Sequence, residues 1–199
     1  MKPVDRSEIL PLGEYERIRD QFRARVIAEK KTRRIALGPR MTCVFENRDT
    51  VLLQIQEMLR TERITREASI LHEIETYNEL VPGDRELSAT IMIEIDDKAE
   101  RDDFLVRARG IDKTITLGSG TLAAQGSISA ARDLGDRASA VLYVKFPLPG
   151  PLAERLVAIG KGGPLDGIEL RLAVDHEVYR HAVTLPGPLV RSLGEDLVS

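Results

Sequence analysis

Residues 87–95 read LSATIMIEI, and apolar side chains occupy every second position of this stretch. Leu87, Ala89, Ile91, Ile93 and Ile95 would lie on one side of an extended chain. Strict alternation of this kind is typical of a β-strand that packs one face on the core. We therefore predict a half-buried β-strand here. The sequence before this strand has a different pattern from the sequence after it.

The chain before this strand has the periodicity of helices. Between residues 14 and 31 apolar side chains recur every three or four residues, which predicts an amphipathic helix. The same spacing predicts a second helix at residues 50–63 and a third that begins at Thr65. A short β-prone segment at residues 41–45 precedes the second helix, and a turn at residues 81–84 ends the third.

The chain after this strand is mostly β-prone. We predict short helices at residues 97–109, 152–159 and 186–197, strands at residues 114–117, 138–146, 167–174 and 178–185, and a loop with one or two short strands at residues 118–137. Helices that come first and strands that follow are typical of an α+β fold. The prediction is one α+β domain over residues 1–199, in which N-terminal helices pack on a mainly antiparallel β-sheet and a short helix ends the chain. Its helical part covers about 1–82 and its mainly β part about 83–199.

The composition excludes several classes of protein. The chain has 199 residues, of which 31% are charged, and a formal net charge of −3. No apolar run reaches the ~18 residues of a membrane-spanning helix, and the first residues lack the apolar core of a signal peptide. Cys43 is the single cysteine, which excludes an intramolecular disulfide, a cysteine-based zinc site and an iron–sulfur cluster held by this chain alone. We therefore expect a cytoplasmic protein without membrane contact.

Motifs for catalysis are weak. Residues 118–120 (GSG) and 160–163 (GKGG) match neither a phosphate-binding loop nor a dinucleotide fingerprint, and we interpret both as turns. Cys43 lies in an apolar run, which favours a buried, unreactive thiol. The sequence leaves open whether the protein is an enzyme.

Polar side chains on the second and third predicted helices could form a ligand or metal site. Glu57 and Arg60 lie on one side of the second helix, and Glu62 lies near its end. His72 and Glu75 are three residues apart on the third helix, so their side chains are neighbours. One imidazole and several carboxylates would suit a transition metal. The alternative is that these side chains form solvated surface.

The last predicted hairpin adds a tyrosine and a histidine. Tyr179 and His181 share one face of the predicted strand because they are two residues apart. We interpret His181 either as a buried, hydrogen-bonded histidine or as a ligand for a metal or small molecule. His176 lies at the turn of the hairpin, where it could serve the turn alone.

A basic stretch between residues 17 and 40 contains nine lysines and arginines. Asp20 and Glu29 dilute this charge and no series of aromatic residues accompanies it, which argues against nucleic acid as a partner. The stretch is either a solvated helix surface or a surface for an acidic partner. The arginines assigned to such a partner surface are Arg17, Arg23, Arg25, Arg33 and Arg34.

Several long motifs resemble one bacterial family. The chain resembles, over nearly its whole length, the family catalogued as domain of unknown function 3501. The motifs that carry this resemblance are residues 47–58 (NRDTVLLQIQEM), 77–95 (YNELVPGDRELSATIMIEI), 139–148 (SAVLYVKFPL) and 175–181 (DHEVYRH).

The resemblance implies a context rather than an activity. Relatives tend to be encoded beside a rubrerythrin-like protein and an iron–sulfur oxidoreductase that resembles a heterodisulfide reductase subunit. This association implies an accessory protein of a redox or peroxide-response module, which docks on such partners.

The sequence thus supports two functions of different class. The first is the accessory protein that docks on a redox partner. The second is a metal- or small-ligand-binding protein, enzymatic or not, whose site is lined by Glu57, Arg60, Glu62, His72, Glu75, Tyr179 and His181. We assign no cofactor: a transition metal is left open, and the sequence holds no iron–sulfur or nucleotide motif. A homo-oligomer is also left open.

Overall fold

A computed structural model describes residues 1–128 and 134–198 and has the predicted α+β architecture. Residues 129–133, which belong to the predicted loop at 118–137, lie outside the described residues. No helix of the described residues is long and apolar enough to cross a membrane. The helices and strands follow in the order α1 (Leu12–Thr32), β1 (Arg34–Ala36), β2 (Met41–Glu46), α2 (Arg48–Thr61), α3 (Glu67–Asn78), β3 (Glu86–Ile93), α4 (Lys98–Arg107), β4 (Ile115–Ser119), β5 (Leu122–Gln125), β6 (Val141–Pro147), α5 (Gly150–Gly160), β7 (Arg171–His176), β8 (Tyr179–Thr184) and α6 (Gly187–Asp196).

In the part of the chain that the structure describes, the strands form two antiparallel sheets of four strands each. The strand order is β1-β2-β3-β6 in the first sheet and β5-β4-β7-β8 in the second. The strand that the alternating stretch predicted, β3, lies inside the first sheet, where Ile91 is opposite Cys43 of β2 and Leu142 of β6. Because β2 belongs to the helical part of the chain, the change from helices to strands along the sequence is not a boundary in space.

The larger hydrophobic cluster unites side chains of both sheets with side chains of α4, α5 and α6. Its rings are few: Phe45, Phe104 and Phe146 are wholly buried among aliphatic residues. The helices α5 and α6 approach closely where Gly160 meets Gly194, since a Cβ on Gly160 would lie 2.3 Å from the backbone of Gly194. A second, smaller cluster lies beneath α2 and α3.

The prediction that β3 is half-buried is wrong. Ser88 and Thr90, on the polar side of the strand, are only 1% and 8% exposed. Thr90 donates to the carboxylate of Glu46 on β2, and Thr50 of α2 donates to the same carboxylate. The first sheet is therefore covered on both faces, and the alternation arises because the layer over one face is polar.

The start of α2 is fixed by its capping residues. The side chain of Asn47 accepts a hydrogen bond from the Thr50 amide, and the Thr50 hydroxyl accepts one from the Asn47 amide, both at 3.0 Å. This reciprocal arrangement satisfies two amide groups that a helix N-terminus otherwise leaves unpaired. It fixes the entry of α2 directly after β2, next to the polar face of the first sheet.

Candidate functional site

Glu57, one of the predicted ligands, lies in a polar contact between α1 and α2. Its carboxylate accepts hydrogen bonds from the Tyr15 hydroxyl at 2.7 Å and from Nε and Nη2 of Arg19, both at 2.8 Å. Arg60, one turn further along α2, donates from Nε to Glu16 of α1 at 2.6 Å. We call these five residues the α1–α2 seam, because all the bonds join the two helices.

The electrostatics of the seam favour an ionised Glu57 whose role is to connect α2 to α1. The hydrogen bond from Arg19 holds the pKa of Glu57 below its ordinary value, against partial burial, which raises it. Burial, followed by the bond to Glu57, raises the pKa of Tyr15. Three donors on one carboxylate leave Glu57 little capacity to bind a metal or a small ligand.

The other predicted ligands on the helices stand apart from this seam. His72 and Glu75 are exposed on α3, and Glu62 is exposed just after α2 ends. Within residues 1–128 and 134–198, no three or more histidine, cysteine, aspartate or glutamate side chains are arranged to hold a metal ion. The seven predicted ligands are thus divided among the seam, this exposed surface and the strand β8.

Tyr179 and His181 of β8 contact the turn between β1 and β2. The Tyr179 hydroxyl donates to the carbonyl of Leu37 at 2.8 Å and accepts from the amide of Arg40 at 3.0 Å. A Cβ on Gly38, whose φ is +75°, would lie 2.5 Å from that hydroxyl. The two side chains therefore fix a turn of the first sheet against the second sheet.

The interpretation of His181 as a buried histidine is wrong. Its side chain is exposed, and its ring lies 4.5 Å from the Tyr179 ring, centroid to centroid. His176 is the buried histidine of the hairpin: it is 8% exposed and its Nε2 lies 3.1 Å from the carbonyl oxygen of Arg109.

The eight basic residues between positions 17 and 34 fall into two groups. Five make ion pairs within the chain: Arg19 with Glu57, Arg25 with Asp49, Lys30 with Glu46, Arg33 with Asp196 and Arg34 with Glu94. The other three, Arg17, Arg23 and Lys31, are exposed and have no ion-pair partner in the described part of the chain. We call these three residues the free cations of α1.

The assignment of Arg33 to a partner surface is wrong, because this side chain is wholly buried. Its guanidinium donates to the Phe45 carbonyl at 2.9 Å, to the Ser192 hydroxyl at 2.8 Å and to the carboxylate of Asp196. These bonds connect the chain just after α1 to β2 and α6. A buried guanidinium needs such a counter-ion and acceptors, since it has lost its hydration.

Around Arg33 lies a buried polar cluster that sequence reasoning missed. Thr50 and Thr90 donate to the Glu46 carboxylate at 2.5 and 2.7 Å. Burial raises the pKa of Asp196, whereas the neighbouring charge of Arg33 lowers it. We call this set the inner polar cluster, and its members are Arg33, Glu46, Asn47, Thr50, Thr90 and Asp196.

One buried hydroxyl lies beside the inner polar cluster. Ser88 lies opposite Glu46 in the pairing of β2 with β3, and its buried Oγ makes no hydrogen bond within the described residues. The signal in the sequence for this whole region is the polar side of the 87–95 stretch. Alternation alone does not say whether solvent or a polar layer of the protein covers that side.

The buried position predicted for Cys43 is confirmed. Cys43 is wholly buried, and burial raises the pKa of its thiol, as expected for an unreactive cysteine. The prediction of a turn at residues 118–120 holds for Gly120 alone, since Gly118 and Ser119 are the last two residues of β4, and residues 160–163 lie where α5 ends.

Comparison with known proteins agrees with the motifs. The family model described as "Protein of unknown function (DUF3501)" matches residues 3–197. A crystal structure of a novel protein of unknown function from Burkholderia pseudomallei is similar, with 32% sequence identity and a TM-score of 0.86 over 98% of this chain and 100% of that one. No curated protein matches the chain significantly. The chain therefore belongs to the DUF3501 family.

Proposed function

We propose that this protein is a non-catalytic accessory protein that docks on an acidic partner through the outer side of α1. The observation that carries the proposal is the division of the basic residues into paired and free ones. Arg19, Arg25 and three further cations are held by carboxylates of the same chain. The free cations of α1 are the part of the basic stretch that remains available to another molecule.

The arrangement of the free cations suits a flat acidic surface. Arg17 and Lys31 are 14 residues apart, which is about four helical turns and roughly 21 Å along one side of α1. Arg23 lies between them, toward one flank of the helix. The exposed side chains between these positions include Ala24 and Ala28, which are too short to screen the cations from a partner. Arginine adds the ability to bind a carboxylate through two parallel hydrogen bonds.

The family context suggests what the partner is. Relatives tend to be encoded beside a rubrerythrin-like protein and an iron–sulfur oxidoreductase, so we propose a redox protein of this kind. The single cysteine is buried and its pKa is raised, so this chain offers no exposed thiolate for exchange with a partner's disulfide. Recognition of the redox protein is the role that fits this chemistry.

The proposal is tested by affinity capture from a native lysate, with iron measured in the captured fraction and the captured proteins identified. The wild-type protein is compared with the triple variant Arg17→Gln/Arg23→Gln/Lys31→Gln. A matched control, Arg66→Gln/Lys161→Gln/Arg171→Gln, removes the same charge from other exposed positions that also lack an ion pair in the described residues.

We expect the wild type and the control to capture an iron protein and the triple variant of α1 to lose it. High salt should weaken the capture, because exposed charges are screened. Two results would overturn the proposal: capture of no iron protein by the wild type, or equal capture by the triple variant of α1.

A further inference from the structure

A cavity of about 280 Å³ lies between the end of α4 and the segment that leads into β6. Its lining includes Arg109, Gly110, Asp112 and Lys113 from the first segment and Leu134, Gly135 and residues 137–139 from the second. This volume is close to the lower end of small-molecule pockets in proteins, roughly 300 Å³. The cavity shares no residue with the α1–α2 seam or with the free cations of α1.

The charge of the lining is strongly one-sided. Arg109, Lys113 and Arg137 contribute three cations, and Asp112 is the one acidic residue among the described residues that line the cavity. None of the three cations is within ion-pair distance of a carboxylate in the part of the chain that the structure describes. A concave site with unbalanced positive charge concentrates anions.

An apolar wall completes the cavity. Leu142 is 3% exposed, Ile128 is half-buried and Leu134 is exposed, and all three line the same space. An inorganic anion would leave this wall in water. A ligand with an anionic group and a short apolar body would use both parts of the lining.

The backbone that carries these side chains is fixed from within the fold. The amide of Val178 donates to Nδ1 of the buried His176 at 3.4 Å, so the other ring nitrogen, Nε2, carries a hydrogen and donates to the Arg109 carbonyl at 3.1 Å. On the other side of the cavity, the amide of Ala138 donates to the carbonyl of Leu105 at 2.8 Å. Anchored walls lower the ordering cost of binding.

We propose that this cavity binds a small organic anion, in which a carboxylate or phosphate is attached to an apolar body of a few carbons. The anionic group meets Arg109 and Arg137, whose planar guanidinium groups match both carboxylate and phosphate geometry. The apolar body lies against Leu142 and Ile128. This site goes beyond the docking function, since it lies elsewhere and recognises a small molecule.

The test is an NMR titration of the ¹⁵N-labelled wild-type protein with hexanoate, butyrate and inorganic phosphate as separate probes. We expect hexanoate to shift the amide signals of residues 109–113 and 134–139. Each buried methylene contributes about fourfold in affinity, so hexanoate should bind about fifteenfold more tightly than butyrate. Phosphate should bind more weakly than hexanoate, because it leaves the apolar wall empty.

Two variants locate the site. Arg109→Gln/Arg137→Gln should weaken hexanoate binding about tenfold or more, whereas the control Arg66→Gln/Arg171→Gln, which removes the same charge elsewhere, should leave it unchanged. The proposal is overturned if no probe binds, if the affinity does not depend on chain length, if phosphate binds as tightly as hexanoate, or if the double variant at the cavity binds like the wild type. A loss of capture by the α1 triple variant would not affect this result, so the two proposals fail separately.

Discussion

Among the ion pairs that connect α1 and the residue that follows it to other parts of the fold, Arg33–Asp196 and Arg19–Glu57 differ in burial. In the inner polar cluster, the side chain of Arg33 is 0% exposed and that of its partner Asp196 is 7% exposed. In the α1–α2 seam, the side chains of Arg19 and Glu57 are 22% and 26% exposed. The chemistry of the two pairs is the same, but the buried pair has lost its water whereas the seam pair keeps part of it.

The burial of each cation, and not its position in the basic stretch, decides what that cation does. Arg33 must be paired with its counter-ion in the folded protein, because an unpaired charge at this buried position would be costly. Arg19 stabilises a helix contact in a medium that is partly screened by water. Arg17, at the exposed extreme, makes no ion pair in the described residues.

The largest effect is expected when the buried pair is broken. Asp196→Leu keeps the number and branching of the side-chain heavy atoms but leaves the charge of Arg33 buried and uncompensated, which should lower the free energy of unfolding by about 3–5 kcal/mol. Urea denaturation of the variant and the wild type measures this difference. A loss below about 1 kcal/mol would show that Arg33 is hydrated in solution, contrary to its complete burial.

Removal of both charges of the buried pair tests whether the unpaired charge is the main cost of the single substitution. The double variant Arg33→Met/Asp196→Leu should be at least about 1 kcal/mol more stable than Asp196→Leu alone, because no unpaired charge remains in the interior. The recovery should be incomplete, since the carbonyl of Phe45 and the hydroxyl of Ser192 lose their donor. A double variant less stable than the single one would contradict the view that the isolated charge is the main cost.

The local periodicity of the sequence was sufficient to predict individual helices and strands. The helix predicted at residues 50–63 is observed as α2, Arg48–Thr61, and the strand predicted at residues 87–95 is observed as β3, Glu86–Ile93. Periodicity reports these because helix and strand spacing is a property of consecutive residues. The strand β1, Arg34–Ala36, was missed because three residues are too few to show an alternation.

The contacts at the candidate site could not be predicted from local sequence patterns, because the residues that meet are far apart in the sequence. Glu57 meets Arg19 across 38 residues of sequence, and Arg33 meets Asp196 across 163. Which helix faces meet is decided by tertiary packing, so a polar stripe on α2 predicted a ligand site where the fold uses it for a helix contact. For the same reason His72 and His181, candidates for one site, lie on an exposed helix surface and on a strand of the second sheet.

A smaller effect is expected at the seam. Glu57→Gln keeps the shape of the side chain but removes the negative charge that pairs with Arg19, so that Arg19 donates to a neutral carbonyl instead of a carboxylate. It also places an amide NH2 opposite some of the donors. We expect a loss of about 1–2 kcal/mol in the free energy of unfolding at neutral pH, less than for the buried pair because water screens the seam. The control Glu75→Gln, on the exposed side of α3, should change it by less than about 0.5 kcal/mol.

The seam should also give a pH dependence of known sign. Since Arg19 holds the pKa of Glu57 below its ordinary value, the unfolded chain binds a proton at this position before the folded chain does as the pH falls. The contribution of Glu57 is therefore complete above its ordinary pKa of about 4.3 and is lost as the pH falls through the lower value of the folded state. The difference in unfolding free energy between the wild type and Glu57→Gln should be constant near neutral pH and shrink in acid. A difference that grows in acid would contradict the assigned direction.

The smallest effect on stability is expected for the free cations of α1. Arg17, Arg23 and Lys31 make no ion pair in the described residues, so Arg17→Gln/Arg23→Gln/Lys31→Gln removes only weak terms, such as the interaction of Lys31 with the C-terminal end of the helix dipole. We expect the free energy of unfolding to change by less than about 1 kcal/mol, measured by the same urea denaturation. This near-neutral result is what gives the capture experiment its meaning, because loss of a partner by a fully folded variant must come from the surface itself. A loss of about 2 kcal/mol or more would show that these side chains stabilise the fold, as Arg19 and Arg33 do. It would contradict the interpretation of the free cations as a docking surface.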